Sequence, residues 1–362
     1  MKLSAVIILF ILISYTLTAQ SILTFQGHSW KLKYKIGYLG IHHSSMSHLP
    51  RQYAQAVELS YYKNSTGVKE IDQAFGNPKI GATLFHGTVG NNEILGHYSG
   101  LYGFVEFPFV KQNNFEWNSK LGVGLAFTNK CFKNENRNIP IGSFTNAQIC
   151  IGTEFIINRG KNYWHTGIDI THFSNAATKL PNYGINLFYL SLGYSRNLSN
   201  NEKSLIKQDS RLPIRKWLFG GILIGSWKEV MPINSSKNLV GAINLHSKRF
   251  FNYKSGIEFD LDIIYKESTR YYLPQIEKNF TDIIQIGLYG AYIIPLEKFH
   301  FIFGMGAYLR DKFKPEDPLY HRIGMRYQWQ NGIISNLTLK THFGRADYLE
   351  WGIGYVFNYE QN

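Results

Sequence analysis

The feature that most constrains this chain is an alternation of apolar and polar residues that repeats to the C-terminus. In one segment Ile257, Phe259, Leu261 and Ile263 are separated by single acidic residues. A period of two residues indicates a β-strand with one apolar face. We place about sixteen such strands, with ends defined to within a few residues. They lie near 29–40, 53–63, 79–88, 98–110, 115–127, 142–157, 162–175, 184–198, 215–230, 237–250, 254–267, 281–294, 298–310, 318–330, 333–343 and 347–358.

Two architectures share this pattern, a secreted sandwich and a transmembrane barrel. Aromatic residues make up 15% of the chain, and the apolar faces are rich in them near the strand ends. Charged residues make up only 17%, below the roughly 25% usual in soluble proteins. A lipid-facing apolar band with aromatic girdles has this composition. We therefore predict an all-β, antiparallel transmembrane barrel of the outer membrane.

The first twenty residues have the form of a secretory signal peptide. Lys2 precedes an apolar run from Ala5 to Ile13, which is too short to span a bilayer, and Thr18-Ala19-Gln20 offers small residues for cleavage. We expect residues 1–20 to be removed and the mature protein to lie in the cell outer membrane. The alternative is an uncleaved anchor helix, which the polar residues after Ile13 disfavour.

The remaining chain divides into 21–198 and 199–362, each with eight predicted strands. The basic connection 199–214 is either a linker between two barrels or a solvated turn within one barrel of about sixteen strands. Our main prediction is a single barrel that residues 199–362 complete or extend. The alternative is two tandem eight-strand barrels. Sixteen strands would enclose water, whereas eight would be filled by side chains. The inward-facing Glu258, Asp260 and Asp262 favour a wet interior.

One segment, residues 171–186, carries a candidate for chemistry. His172 and Ser174 share a lipid-facing side with apolar residues such as Ile168, and Asn186 begins the next strand on the same surface. With a periplasmic N-terminus, this cluster lies at the extracellular rim. A serine, a histidine and a polar orienting group form an activated nucleophile, which here would meet an acyl ester of a membrane lipid. Rim residues gathered by chance are the alternative, although unpaired polar groups facing hydrocarbon are costly.

The spacing His-x-Ser-Asn followed by Pro-Asn-x-Gly, over residues 172–184, resembles the signature of the lipid A 3-O-deacylase (PagL-type) family, whose relatives are often called acyloxyacyl hydrolases. The resemblance covers about residues 20–198, which match the eight-strand barrel of that family. The family hydrolyses an ester-linked acyl chain of lipid A with a serine nucleophile, a histidine base and an acidic third residue. The resemblance implies Ser174 as nucleophile, His172 as general base, and Asn175 and Asn182 at the oxyanion hole.

Two features depart from the family pattern. The acidic position is occupied by Asn186, which we keep as the third catalytic residue, and 199–362 has no counterpart in the compact family barrel. The implied partner is lipid A or lipopolysaccharide of the outer leaflet, and we expect no metal, no cofactor and no nucleic acid. The formal charge of +13 favours anionic partners without separating lipid from nucleic acid. The rival hypothesis is a non-catalytic pore or structural barrel with a degenerate active site.

Overall fold

The structure is a computed structural model that describes residues 25–65, 67–198, 212, 214–296 and 298–357. The predicted signal peptide at 1–20 lies outside these residues. Within them the chain forms sixteen antiparallel strands and one short α-helix, α1 (Glu70–Ala74). None of the helical segments in these ranges has the length and hydropathy needed to cross a membrane.

The first eight strands close into a barrel. Each strand pairs with the next, and the barrel closes where the first strand pairs with the eighth, with Gly40 opposite Asn186. The helix α1 lies in the connection between the second and third strands. The strands are β1 (Phe25–Gly40), β2 (Ala54–Ser65), β3 (Lys79–Thr88), β4 (His97–Lys111), β5 (Phe115–Thr128), β6 (Thr145–Arg159), β7 (Asn162–Ser174) and β8 (Ile185–Asn197).

The last eight strands close into a second barrel. Its ninth and sixteenth strands complete the ring, with Gly225 opposite Trp351. Short 3-10 turns, Glu267–Tyr271 and Phe280–Ile283, lie in the connection after the eleventh strand. The strands are β9 (Trp217–Glu229), β10 (Lys237–Asn252), β11 (Ser255–Lys266), β12 (Ile284–Leu296), β13 (Phe299–Arg310), β14 (Leu319–Gln328), β15 (Ile333–His342) and β16 (Arg345–Val356).

The all-β barrel architecture and the sixteen predicted strands are confirmed, with each strand end displaced by no more than a few residues. The arrangement is the tandem alternative rather than one large barrel. Residues 217–356 therefore form their own ring instead of completing the first. The segment 199–214, which we took as a solvated turn, connects the two rings; most of it lies outside the described residues.

The interior of the first barrel is filled by a ladder of ion pairs. Lys31, Lys33 and Lys35 alternate along β1, so all three point inward and are buried. Lys33 Nζ lies 2.7 Å from Glu154 and 3.1 Å from Glu58. Charges removed from water need such partners, because an unpaired buried charge is strongly destabilising.

The second barrel is filled in the same manner. Arg322 lies 2.7 Å from Glu350, 3.0 Å from Asp262 and 3.3 Å from Asp260. Glu258 pairs with Arg326, and all of these side chains are buried. The expectation that the acidic residues of β11 line a wet interior is therefore corrected. Eight strands leave room only for side chains, and the acidic residues are paired with arginines there.

The outer surface of the first barrel has the character of a lipid-facing wall. On β7 and β8 the outward positions include Ile168, Ile170, Leu190 and Leu192, all exposed, with Leu192 at 66%. The inward positions of the same strands are buried. A contiguous apolar surface of this kind marks contact with a membrane rather than with water. The apolar-out, polar-in order rejects the sandwich alternative, in which the apolar face would form the core.

Candidate active site

His172, Ser174 and Asn186 meet on the outer surface of the first barrel. His172 and Asn186 are directly opposite each other in the β7–β8 ladder. Ser174 is the last residue of β7 and lies two positions beyond His172 on the same side of the strand. His172 and Asn186 are half-buried, whereas Ser174 is buried. The structure therefore brings together the three residues that the sequence placed on one face.

A hydrogen bond joins the histidine to the asparagine. The Nδ1 atom of His172 lies 2.6 Å from Oδ1 of Asn186. An amide oxygen only accepts, so Nδ1 of His172 carries the proton and Nε2 keeps its lone pair. This is the tautomer that a general base requires when it takes a proton at Nε2.

A second histidine, His42, fixes the orientation of the Asn186 amide. Nε2 of His42 lies 2.8 Å from the carbonyl oxygen of Tyr183, whereas Nδ1 lies 3.5 Å from that of Gly40. The shorter contact places the proton of the neutral ring on Nε2, so Nδ1 is an acceptor. Nδ2 of Asn186 donates to that Nδ1 at 3.2 Å. The amide nitrogen is therefore directed at His42 and the amide oxygen at His172. This chain of partners assigns both the amide orientation and the two histidine tautomers.

The β7–β8 connection, residues 175–184, forms a loop over the site, and we call it the active-site loop. The backbone N–H of Asn175 donates to Oδ1 of Asn182 at 2.9 Å. Nδ2 of Asn175 donates to Oγ of Ser143 at 2.9 Å and to the carbonyl oxygen of Lys179 at 2.8 Å. Asn175 therefore holds the loop together. Because the Oδ1 atom of Asn182 already accepts a hydrogen bond, only the Nδ2 atom of the same amide remains to act as a donor.

Gly184 closes the active-site loop against the histidine. Its φ is +78°, and a Cβ built on it would lie 2.8 Å from Cε1 of His172. Glycine is thus needed here for two reasons, the left-handed backbone and the close approach of the imidazole. The same residue donates its backbone N–H to the carbonyl of Pro140 at 3.0 Å, which ties this end of the loop to the β5–β6 connection.

The three side chains are of the types that a serine acyl-transfer site uses. Within the part of the chain that the structure describes, no hydrogen bond joins the Ser174 hydroxyl to the His172 ring. Such contacts are often long without substrate and shorten in the reactive complex. The described residues also hold no group of three or more His, Cys, Asp or Glu side chains arranged for a metal ion.

Two residues at this site escape the sequence patterns. His42 lies in the β1–β2 connection, and Glu229 ends β9 of the second barrel and contacts the active-site loop. Neither belongs to a motif, and each is far from residues 172–186 in sequence. The period of two predicts which face of a strand a residue lies on. It does not predict which residues from distant parts of the chain contact the site.

Two family models match the chain. The model described as lipid A 3-O-deacylase (PagL) matches residues 55–195, which fall within the first barrel. The model described as acyloxyacyl hydrolase, C-terminal domain, matches residues 216–359, which hold the second barrel. Together the two matches cover most of the chain and divide where one barrel ends and the next begins.

Solved structures also align with the chain, at low identity. The outer membrane enzyme PagL is 16% identical and aligns over 45% of this chain and 97% of its own, with a TM-score of 0.32. A mutant of the Rhodopseudomonas blastica porin is 10% identical and aligns over 91% of this chain and 99% of its own, with a TM-score of 0.20. No curated protein sequence matches the chain significantly.

Proposed function

Because this outer-membrane chain belongs to the lipid A 3-O-deacylase (PagL) family, we propose that its first barrel is a serine esterase that removes an ester-linked acyl chain from lipid A. The observation that carries the proposal is the His172–Asn186 hydrogen bond beside Ser174 on the lipid-facing rim. A hydrogen-bonded cluster of polar side chains is costly on a hydrocarbon-facing surface, so its presence there favours a functional role.

The chemistry begins with Ser174. Its Oγ attacks the ester carbonyl carbon while Nε2 of His172 takes the hydroxyl proton. The bond from the carbonyl carbon to the sugar oxygen then breaks, and His172 gives its proton to that oxygen. The acyl chain stays on Ser174 until a water molecule attacks the new ester. His172 takes the proton of that water and returns it to Ser174, which releases a free fatty acid.

Asn186 orients the base in this scheme. Its oxygen holds the Nδ1 proton of His172, so the lone pair of Nε2 is directed away from β8. A neutral amide fixes the tautomer, but it stabilises the imidazolium less than a carboxylate does. The site is therefore a working but slow form of the serine–histidine pair.

Asn182 is the oxyanion donor in this proposal, and Asn175, predicted to share that role, supports it instead, because its N–H groups already donate to Asn182, Ser143 and Lys179. We assign the donor role to Nδ2 of Asn182, because the oxygen of the same amide is held by the backbone N–H of Asn175. Donors fixed before the reaction stabilise the developing negative charge without reorganising, which is a large contribution in a site shielded from water.

The experiment is a mass spectrum of lipid A from Gram-negative cells that produce the full chain and from matched cells that do not. The proposal predicts a second lipid A species that lacks one acyl chain and appears only with the protein. Identical spectra from cells with correctly inserted protein would instead support the rival hypothesis of a pore or structural barrel. The filled interiors of both barrels already argue against an open pore.

A further inference from the structure

The active-site loop has a strained beginning. Ala176 and Ala177 have φ values of +53° and +59° and are both buried. Non-glycine residues seldom adopt this left-handed conformation, and they keep it only where surrounding contacts hold them. Inside the loop, Asn175 accepts from the backbone N–H of Thr178 at 3.1 Å. Further contacts to the backbone of the loop come from the second barrel.

Glu229, the last residue of β9, forms two hydrogen bonds with the loop, donating one and accepting the other. Its backbone N–H donates to the carbonyl oxygen of Ala177 at 3.1 Å. Its Oε2 accepts from the backbone N–H of Leu180 at 3.0 Å. Glu229 is only 3% exposed. Its carboxylate is shielded from water, where a hydrogen bond to a charged acceptor is stronger than one between neutral groups.

We propose that the second barrel serves the reaction by positioning the active-site loop through Glu229. This inference rests on the proposed esterase function, because the loop carries the oxyanion-hole residue Asn182. Leu180 lies two residues before Asn182, so a shift of the Leu180 backbone moves the Asn182 amide with it. Small displacements of a catalytic group cost large factors in rate. Glu229 is thus a positioning residue, and it gives the second barrel a role at an active site that it does not itself contain.

The test uses the full chain in detergent with substitutions at Glu229. Glu229→Ala removes the carboxylate. Glu229→Asp keeps the carboxylate on a side chain that is shorter by one methylene group. Glu229→Gln keeps an acceptor oxygen at the same reach. The matched control is Glu267→Ala, because Oε2 of Glu267 accepts a backbone N–H from Leu239 at 2.7 Å entirely within the second barrel.

We expect Glu229→Ala to speed amide hydrogen exchange in residues 175–184 and to lower kcat by about tenfold, the usual scale for a lost hydrogen bond to a charged group. KM should change little, since the oxyanion donor acts in the transition state. Glu229→Asp should fall between the wild type and Glu229→Ala, and Glu229→Gln should recover most of the loss. Glu267→Ala should leave both the exchange and kcat unchanged.

The inference is overturned if Glu229→Ala and Glu229→Asp match Glu267→Ala in both exchange and kcat while Ser174→Ala is inactive. If Ser174→Ala remains active, the esterase mechanism fails instead. The exchange measurement then still decides whether Glu229 holds the loop. Should Glu229→Ala fail to assemble, Glu229→Asp provides the same comparison.

Discussion

The Nδ1 atom of His172 lies 2.6 Å from the Oδ1 atom of Asn186, so the partner of this imidazole is a neutral amide, which we propose takes the place of the carboxylate of a serine esterase. The amide holds the imidazole in the orientation of a general base. In the proposed mechanism the amide cannot offset the positive charge that the imidazole gains when it takes the proton of Ser174. The consequences of this pair for rate can be measured directly.

Substitution of Asn186 should separate orientation from charge. Asn186→Leu removes the acceptor and should raise the activation barrier by about 1–3 kcal/mol, because it leaves the ring N–H unpaired. Asn186→Glu restores a carboxylate and should raise kcat above the wild-type value. The measurement is the rate of fatty acid release from purified lipid A in detergent. Unchanged kinetics in both variants would remove Asn186 from the catalytic group.

His42 should matter only because the partner of His172 is an amide. Without His42, the Asn186 amide can turn its nitrogen toward His172, which places two donors face to face. We expect His42→Ala to lower kcat by about tenfold, on the scale of one lost hydrogen bond to a catalytic group. His48→Ala, a change of an exposed histidine in the same connection, is the control.

The same reasoning predicts coupling between His42 and Asn186. Both oxygens of a carboxylate accept, so a glutamate at position 186 has no orientation to be fixed. In the Asn186→Glu background, His42→Ala should therefore cost much less than in the wild type, as measured by a double-mutant cycle on kcat. Equal losses in the two backgrounds would show that His42 acts by some route other than the amide.

Gly184→Ala should impair the site beyond the effect of backbone strain. The new Cβ would meet the His172 ring at 2.8 Å, in a residue with φ of +78°. Gly160→Ala is the matched control, because Gly160 has φ of +70° and a Cβ added there would have nothing within 4 Å. Both variants should lose similar stability in detergent, whereas only Gly184→Ala should lose activity strongly. Equal activity in the two variants would contradict the close packing of the ring.

Removal of one partner from the ion pairs inside the first barrel should be strongly destabilising. Lys33→Met leaves Glu58 and Glu154 each with one fewer partner and should lower the free energy of unfolding by about 3–5 kcal/mol. Arg51→Ala breaks a surface pair with Glu93, whose side chains are 56% and 78% exposed, and should cost at most about 1 kcal/mol. Urea unfolding in detergent compares the two. A small effect of Lys33→Met would mean that the interior is wetter than the structure has it.

The strands and the faces of their residues could be predicted from sequence because both follow from a local period of two. The shared face of His172 and Ser174 is an example, and Asn186 joined it through the same rule. Ring closure could not be predicted in this way, since it depends on whether β8 pairs with β1 or with β9. Which strands pair depends on contacts between segments that are distant in sequence. Sixteen similar strands are therefore compatible with one barrel or with two.

The contacts made by the active site and its loop could not be predicted from the sequence either. Asn186 and His42 are 144 residues apart, and Leu180 and Glu229 are 49 apart. The first pair becomes adjacent because β1 closes on β8, and the second because the ninth strand rises beside the loop. His42 and Leu180 lie in loops outside the strand period, so these contacts follow only from the three-dimensional arrangement of the strands.

The most direct test of the account is the rate of acyl release from purified lipid A by Ser174→Ala, with Ser99→Ala as the control. Ser99 is an exposed, outward-facing residue near one end of β4, so the change is the same in size but lies away from the candidate site. Loss of the nucleophile should reduce the rate by several orders of magnitude while heat-modifiable migration on gels stays unchanged. Ser99→Ala should retain the wild-type rate. Activity of Ser174→Ala within about tenfold of the wild type would contradict the serine mechanism.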